Sequence, residues 1–551
     1  MKIALIYPYF LEARVHADEI RVPPMGIYYV AAALIEAGHR VEVFNWSEVH
    51  RNPQRISEAL TALRPEVIAF SILHANRWGG LDIAAAAKQL LPEVTTVFGG
   101  IGASYLWEHL LTHFPQVDYV VVGEAEKSVC RLAACLEVGN RAAIEQIAGV
   151  AYRRDGRAVQ NPCDPLLPDL DSLPNPSRYF TYQHVALTRG CPANCSFCGS
   201  PRFWQRRVRF HSPTYFADQL QRLYEKGTAF FFFSDDTFTL NRRKTIAVCQ
   251  EILERNLPIA WQAISRVDTI DAEVLYWMRR AGCIQISYGV ESGNRRIRSM
   301  LQKEFSDEQV ETAFALTRRY GILPRAYFIY GCPGETRQTI DETIALIRRI
   351  RPLSAIFYIL DLFPGTQLYE DFKQRSGASD DIWLRRIEDI LYFETDPQLS
   401  REQVLEFGRR LRSAFYERLP EFVDSLELED LPELAPLHAD FLSRLAMTFE
   451  HGDYARIEAI PGKERLARSL YRRALAYHPD SRAYLGLGIG LQKQGRYAES
   501  RAILAEGLSR FPEDEHLNIC LGITYMNLGE YPKALEMLLP FAESAGRYIA
   551  D

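Results

Sequence analysis

Three thiols crowd into eight residues, in the run Leu187-Thr-Arg-Gly-Cys191-Pro-Ala-Asn-Cys195-Ser-Phe-Cys198. Thiolates are the usual holders of iron–sulfur clusters, normally four to a cluster. Three therefore leave one iron open, and an open coordination position is what separates a reactive metal from a structural one. The alternative is structural zinc, which needs a fourth ligand. Only His184 and His211 lie nearby, and no second Cys-x-x-Cys pair exists. The other seven cysteines are scattered, which reads as a reducing compartment with one metal site, not as a disulfide scaffold.

A set of short motifs surrounds the thiols, each expected at the end of a strand: Ser234-Asp235-Asp236, Ser265-Arg266-Val-Asp268, Gly289-Val-Glu291-Ser-Gly293, Gly331-Cys-Pro-Gly334-Glu335 and Phe363-Pro-Gly365-Thr. Asp235 or Asp236 can accept from an ammonium, Glu291 from ammonium or ribose hydroxyls, and Arg266 offers a fork to a carboxylate. Gly331 and Gly334 allow close backbone approach. Asp235 or Asp236 could instead cap a helix, Glu291 could be structural, and Pro333-Gly334-Glu335 could be a turn and helix start. Cys332 reads as a small buried thiol. Over residues 185–375 this order of motifs resembles the radical S-adenosylmethionine (SAM) superfamily. The resemblance implies a [4Fe–4S] cluster on the three cysteines and SAM against Asp235, Asp236, Arg266, Glu291, Gly331 and Gly334. It further implies reductive cleavage to a deoxyadenosyl radical, with an electron donor such as flavodoxin or ferredoxin.

The elements that must position these residues are legible as strands at 185–188, 229–234, 259–264, 284–290, 326–330 and 355–360. Helical patterns at 213–225, 242–255, 272–281, 307–320 and 335–350 separate them. Six β/α units predict a partial (β/α)6 barrel with its chemistry at the C-terminal mouth. Residues 1–150 show strands at 3–7, 41–45, 67–72, 95–98 and 119–122, with helices such as 25–37 and 81–91 between them. That alternation predicts a doubly wound five-stranded parallel sheet. A hairpin and proline-rich linker occupy 151–184, and a helical connector is expected over 376–436.

The segments Pro23-Pro-Met-Gly26, Ser71-Ile, Val97-Phe-Gly99-Gly100 and Val122-Gly123-Glu124-Ala-Glu126 extend the resemblance to the cobalamin-dependent branch of that superfamily. It implies cobalamin at Ser71, Gly99, Gly100, Gly123 and Glu124, and methylation of an unactivated carbon in a natural-product, peptide or protein substrate. Cyclisation or rearrangement is the rival outcome. A sheet that has lost cobalamin and a non-catalytic repeat protein are further alternatives. The Asp-x-His-x-x-Gly motif that gives cobalt a lower histidine is absent. His16, His74, His109 and His113 read as partly exposed histidines, so cobalt is expected without a protein histidine.

Beyond about residue 400 the pattern is all helical. Leu487-Gly488 recurs 34 positions later as Leu521-Gly522, and Gly495-Arg-Tyr497 as Gly529-Glu-Tyr531, with a weaker copy at Gly452, Tyr454, Ala467 and Tyr471. This resembles the tetratricopeptide repeat and predicts three helical hairpins from about residue 437, open to a protein partner. Cutting near Leu434 is expected to leave the cofactor chemistry intact. The net charge of −6 over 551 residues offers no basic field for nucleic acid, and no long apolar run predicts a membrane span. A cytoplasmic protein is expected.

Overall fold

The computed structural model describes residues 1–11, 22–49 and 53–541. The first sheet has seven strands: β1 (Lys2–Tyr7), β2 (Arg40–Asn45), β3 (Val67–Ser71), β4 (Thr95–Gly99), β5 (Tyr119–Val121), β6 (Val150–Arg154) and β7 (Arg157–Gln160). Their order is β2-β1-β3-β4-β5-β6-β7, parallel through β5, with β6 and β7 added antiparallel. The five expected parallel strands are thus present, and the hairpin expected within the linker instead extends the sheet. β1 is apolar at every buried position because helices cover both sheet faces. Ile3, Leu5 and Tyr7 share one core with Ile27, Leu34 and Leu132; Ala4 and Ile6 share another with Leu60, Leu81 and Leu110. Strand order reverses between β1 and β3, where such sheets open a ligand crevice at the strands' carboxyl ends.

The second sheet runs β8 (His184–Val185), β11 (Phe230–Phe233), β12 (Ala260–Ser265), β13 (Cys283–Glu291), β14 (Leu323–Tyr330) and β15 (Ser354–Ile359), all parallel and side by side. A small antiparallel pair, β9 (Thr188–Arg189) and β10 (Arg209–Phe210), lies between β8 and β11 in the chain. The first barrel strand is shorter than the expected 185–188. Asp235 accepts from the amides of Leu187 and Thr188 and from the Thr188 hydroxyl, so a carboxylate replaces the ladder there. The last barrel helix starts at Arg337, not at 335. Glu335 turns back to accept from the Gly331 and Cys332 amides, and Thr336 caps the helix.

The expected connector is helical only in its second half, Arg401–Asp424. Before it, a strap through the 3-10 turn Asp380–Leu384 crosses from the barrel to the first domain. There Trp383 is buried beside His74, Arg77 and Trp78 donate to the Ile387 carbonyl, and Arg386 pairs with Asp82. Leu362 then donates to the Ile390 carbonyl at the barrel edge.

Six helices follow as three antiparallel hairpins: Ala435–Glu450 with Lys463–Tyr477, Ser481–Lys493 with Tyr497–Arg510, and Glu515–Asn527 with Tyr531–Leu538. Phe441, Leu442, Leu445 and Leu470 of the first hairpin belong to the same continuous hydrophobic core as the barrel strands, whereas Tyr484, Leu504, Leu517 and Leu521 form a separate one. A cut near Leu434, expected to leave the cofactor chemistry intact, would take these side chains out of the core they share with the barrel. It also orphans the buried Arg279, which reaches from the barrel to Asp440 at 2.9 Å.

Asp440 also receives Arg444 at 2.8 Å and Arg482 at 2.6 Å. Burial raises its carboxyl, and the three arginines more than offset this, leaving it at about 2. A depressed folded value means that the stabilisation is present above the ordinary aspartate pKa and is lost as pH falls toward about 2. Asp440→Asn should destabilise the protein at neutral pH by about 3–5 kcal/mol, because Arg279 stays buried without its counter-charge. It should also flatten the acid limb. Thermal melts at neutral and acid pH, wild type against variant, check both; equal midpoints at neutral pH would refute it.

Candidate functional site

The cysteine loop leaves the barrel directly after β9. Cys191 and Cys195 are buried and Cys198 is partly so. The three thiols sense one another electrostatically, and the Lys303 ammonium and Arg266 guanidinium act on Cys195. Burial pushes the Cys198 thiol up to about 12, so taking up a cluster there releases protons. Zinc is poorly served. His184 is engaged by Ser234 at 2.9 Å, and His211 by Asp171 and the Tyr29 hydroxyl at 2.9 and 3.1 Å. Three thiols beside two cations and without a free histidine nearby suit an iron–sulfur cluster better.

Around the barrel mouth, the expected residues divide by what they touch. Asp235 is 1% exposed and committed to Thr188; burial raises it to about 7. Asp236 accepts from Ser200 at 2.5 Å and borders an open cleft. Glu291 is buried with φ of +65° beside a register shift between β13 and β14, and it takes the Lys303 ammonium at 3.0 Å. A non-glycine residue held in the left-handed region at a strand end is the kind of local strain that clusters at functional sites. Arg266 spends its fork on Asp268, at 2.9 and 2.7 Å. Gly331 and Gly334 both have positive φ; a Cβ on the first would meet Val404 and on the second Arg296. Cys332 is fully buried, as expected.

One open cleft joins the two sheets. Its floor is the carboxyl edge of the first sheet, with Ser71, Gly99, Gly100, Gly123 and Glu124 all in the lining. Its opposite wall is the barrel mouth, from Ala186, Thr188 and Gly190 to Ser234 and Asp236. The cavity at its centre, about 310 Å³, falls within the roughly 300–1,000 Å³ of ordinary small-ligand pockets. At Gly26 and Gly123 nothing lies within 4 Å of where a Cβ would stand. These glycines leave room for a large flat group to lie on the sheet edge. Gly100 differs, because φ of +93° and an Ile72 carbonyl 2.7 Å from its virtual Cβ tie it to the β3 end.

None of the described lining residues is a histidine. His74 and His109 are buried away from the cleft, which corrects their reading as partly exposed; His113 is half-exposed, and His16 lies outside the described residues. A Co(II) corrinoid held here should show no nitrogen superhyperfine splitting in its electron paramagnetic resonance spectrum. A nitrogen triplet that is lost on mutating His74 or His109 would contradict the histidine-free cleft.

A charged network missed by sequence reasoning fastens the cleft's walls together. Arg189, two residues before Cys191, donates to Glu124 at 3.0 Å and to Glu126 at 2.6 Å, and lies over Tyr29. Arg209 bridges Glu124 and the Leu167 carbonyl, each at 2.8 Å. Glu124 therefore braces the cleft from beneath. Tyr105 donates to the Gly199 carbonyl at 2.7 Å and fills the space beside Gly365, so the first domain also pins the end of the cysteine loop. Lys303 likewise carried no motif.

A crevice-bearing α/β sheet facing a partial barrel with an open thiolate triad defines a two-cofactor enzyme of radical chemistry. The family comparisons agree: residues 185–347 match the radical SAM superfamily and residues 15–133 match the B12 binding domain. The chain is 29% identical over 382 residues to an uncharacterized methyltransferase, PH0819, of Pyrococcus horikoshii, covering 67% of this chain and 83% of that one. It is 28% identical over 377 residues to the anaerobic magnesium-protoporphyrin IX monomethyl ester cyclase of Rubrivivax gelatinosus, covering 65% and 68%. The fold matches the radical SAM methyltransferase TsrM of Kitasatospora setae, solved with cobalamin and a [4Fe–4S] cluster, at a TM-score of 0.61 and 18% identity over 86% of this chain and 99% of that one. The protein belongs to the cobalamin-dependent radical SAM enzymes, with SAM, a [4Fe–4S] cluster and cobalamin as its cofactors.

Proposed function

We propose that this enzyme methylates an unactivated carbon of a natural-product, peptide or protein substrate. One observation carries the reading: a single cleft is floored by the cobalamin-side strand ends and walled by the barrel mouth up to the residue before Cys191. When bound, the cofactors supply reductive bond cleavage, hydrogen abstraction and a transferable methyl group. The chain supplies position and exclusion of water. Cys191, Cys195 and Cys198 are the proposed cluster ligands. Asp236 is the carboxylate open to the cleft, while Asp235 holds the wall behind it. Glu291, paired with Lys303, and Arg266, oriented by Asp268, flank the cysteine loop as the proposed groups for the nucleoside's polar ends. Gly331 and Gly334 shape the adjoining loop. Ser71, Gly99, Gly100 and Gly123 form the proposed corrinoid floor, and Glu124 locks it to the barrel through Arg189 and Arg209.

No helix among the described residues is long and apolar enough to cross a membrane. We place the enzyme in the cytoplasm, reduced by a flavodoxin or ferredoxin, with the C-terminal hairpins, read as tetratricopeptide-like, available to a protein partner. The likeness to the cyclase favours a second reading, oxidative ring formation on a carbon substrate. Turnover with methyl-labelled SAM separates the two. Methylation adds one labelled methyl to the product, whereas cyclisation leaves the label in methionine and removes hydrogen from the substrate.

A further inference from the structure

The helix Trp107–His113 carries His109 and His113 one turn apart, so both imidazoles leave the same face. His109 is 5% exposed, and neither of its ring nitrogens has a hydrogen-bond partner. Buried polar groups are nearly always paired, and an imidazole that forgoes both of its bonds needs an explanation. Beside it, Nε2 of His113 lies 3.0 Å from Oδ1 of Asp381, on the strap's 3-10 turn. One ligand atom from each of the three residues lies within 4.8 Å of the other two. His113 and Asp381 reach solvent, which leaves an entry path for an ion. None of the three lines the cofactor cleft.

We propose that His109, His113 and Asp381 form a binding site for one divalent transition-metal ion, zinc by its donor set, that pins the strap to the first domain. Two imidazoles and one carboxylate suit zinc, whereas calcium or magnesium would call for oxygen ligands throughout. Burial holds the His109 imidazole neutral, down at about 4, which leaves a lone pair to donate. Three protein ligands leave a fourth position that water can take. The ion gives His109 the partner it lacks and replaces the direct contact between His113 and Asp381 by coordination. The consequence is mechanical. The strap already holds the two domains together through Trp383 and Ile387, and the ion fixes its exposed end.

The test uses the full-length holoenzyme, with cluster and cobalamin loaded, titrated with Zn²⁺ under anaerobic conditions. One zinc per chain should remain after dialysis, and zinc-edge X-ray absorption should show nitrogen and oxygen ligands without sulfur. His113→Ala and Asp381→Asn change solvent-reaching positions and should keep iron and cobalamin, yet lose at least about tenfold in zinc affinity. Zinc should also slow tryptic cleavage at the exposed Arg385-Arg386 of the strap in wild type and not in His113→Ala. Sulfur in the zinc shell, zinc affinity unchanged in both variants, or no zinc retained at all would each overturn the site.

Discussion

Replacing Cys191, Cys195 and Cys198 together by alanine should yield a folded protein that lacks the brown colour of a cluster, holds no cluster and does not split SAM. The expected loss is total, because these three thiols are the proposed cluster ligands and their removal leaves no other thiol in the loop to bind iron. Alanine suits all three places sterically, since each side chain is small and the loop backbone is held by other groups. Ser196 donates to the Leu301 carbonyl, and Leu368 donates to the Ser196 carbonyl. Circular dichroism should therefore stay native while iron falls from about four per chain to none and deoxyadenosine formation disappears. Cys249→Ala, at a buried thiol remote from the loop, serves as the control that keeps its iron. Retention of about four irons by the triple variant would remove the assignment of the cluster.

The second large effect is expected at Arg189. Its guanidinium is almost fully buried between Glu124 and Glu126, so Arg189→Ala leaves two carboxylates with a single neighbouring cation, Arg209. Breaking a buried pair from one side costs about 3–5 kcal/mol. The damage falls where the cysteine loop meets the cobalamin floor, so cobalamin retention should fall together with the melting midpoint. Arg189→Lys should recover little, because a point charge cannot serve two carboxylates and stack on Tyr29 at once. The pH dependence has a definite sign. Burial raises the Glu126 carboxyl, but Arg189 more than offsets it, and the net value lies below the ordinary one. The pair's stabilisation is thus complete above the ordinary glutamate range and fades as pH falls through the depressed value. Glu126→Gln should remove that acid dependence; a variant with wild-type acid stability would show that the pair does not set it.

What could be read in advance follows from how local each signal is. The parallel strands declared themselves because sheets covered on both faces need unbroken apolar runs, as in Ile3–Tyr7 and Phe230–Phe233. The cysteine spacing is a short-range pattern, and so are the glycine turns at Gly99-Gly100 and Gly123. The misses are all long-range. Arg209 meets Glu124 from 85 positions away, and Arg77 meets the Ile387 carbonyl from 310. No window along the chain pairs them. The same holds for His109, whose polar neighbours look like surface until the strap covers them. Asp235 shows a subtler limit: a motif of two adjacent acids cannot say which one faces the cleft and which is spent on Thr188.

The shared cleft has a consequence for how the protein is made. Its floor emerges early from the ribosome, with β1 to β5, but its wall appears only after Ala186 to Asp236 have been synthesised, and its strap later still. A nascent first domain therefore presents a shallow, half-open sheet edge. The corrinoid gains its enclosure only when the barrel has closed over it. Enclosed loading of cobalamin is in this sense a step that waits for synthesis and folding of the barrel.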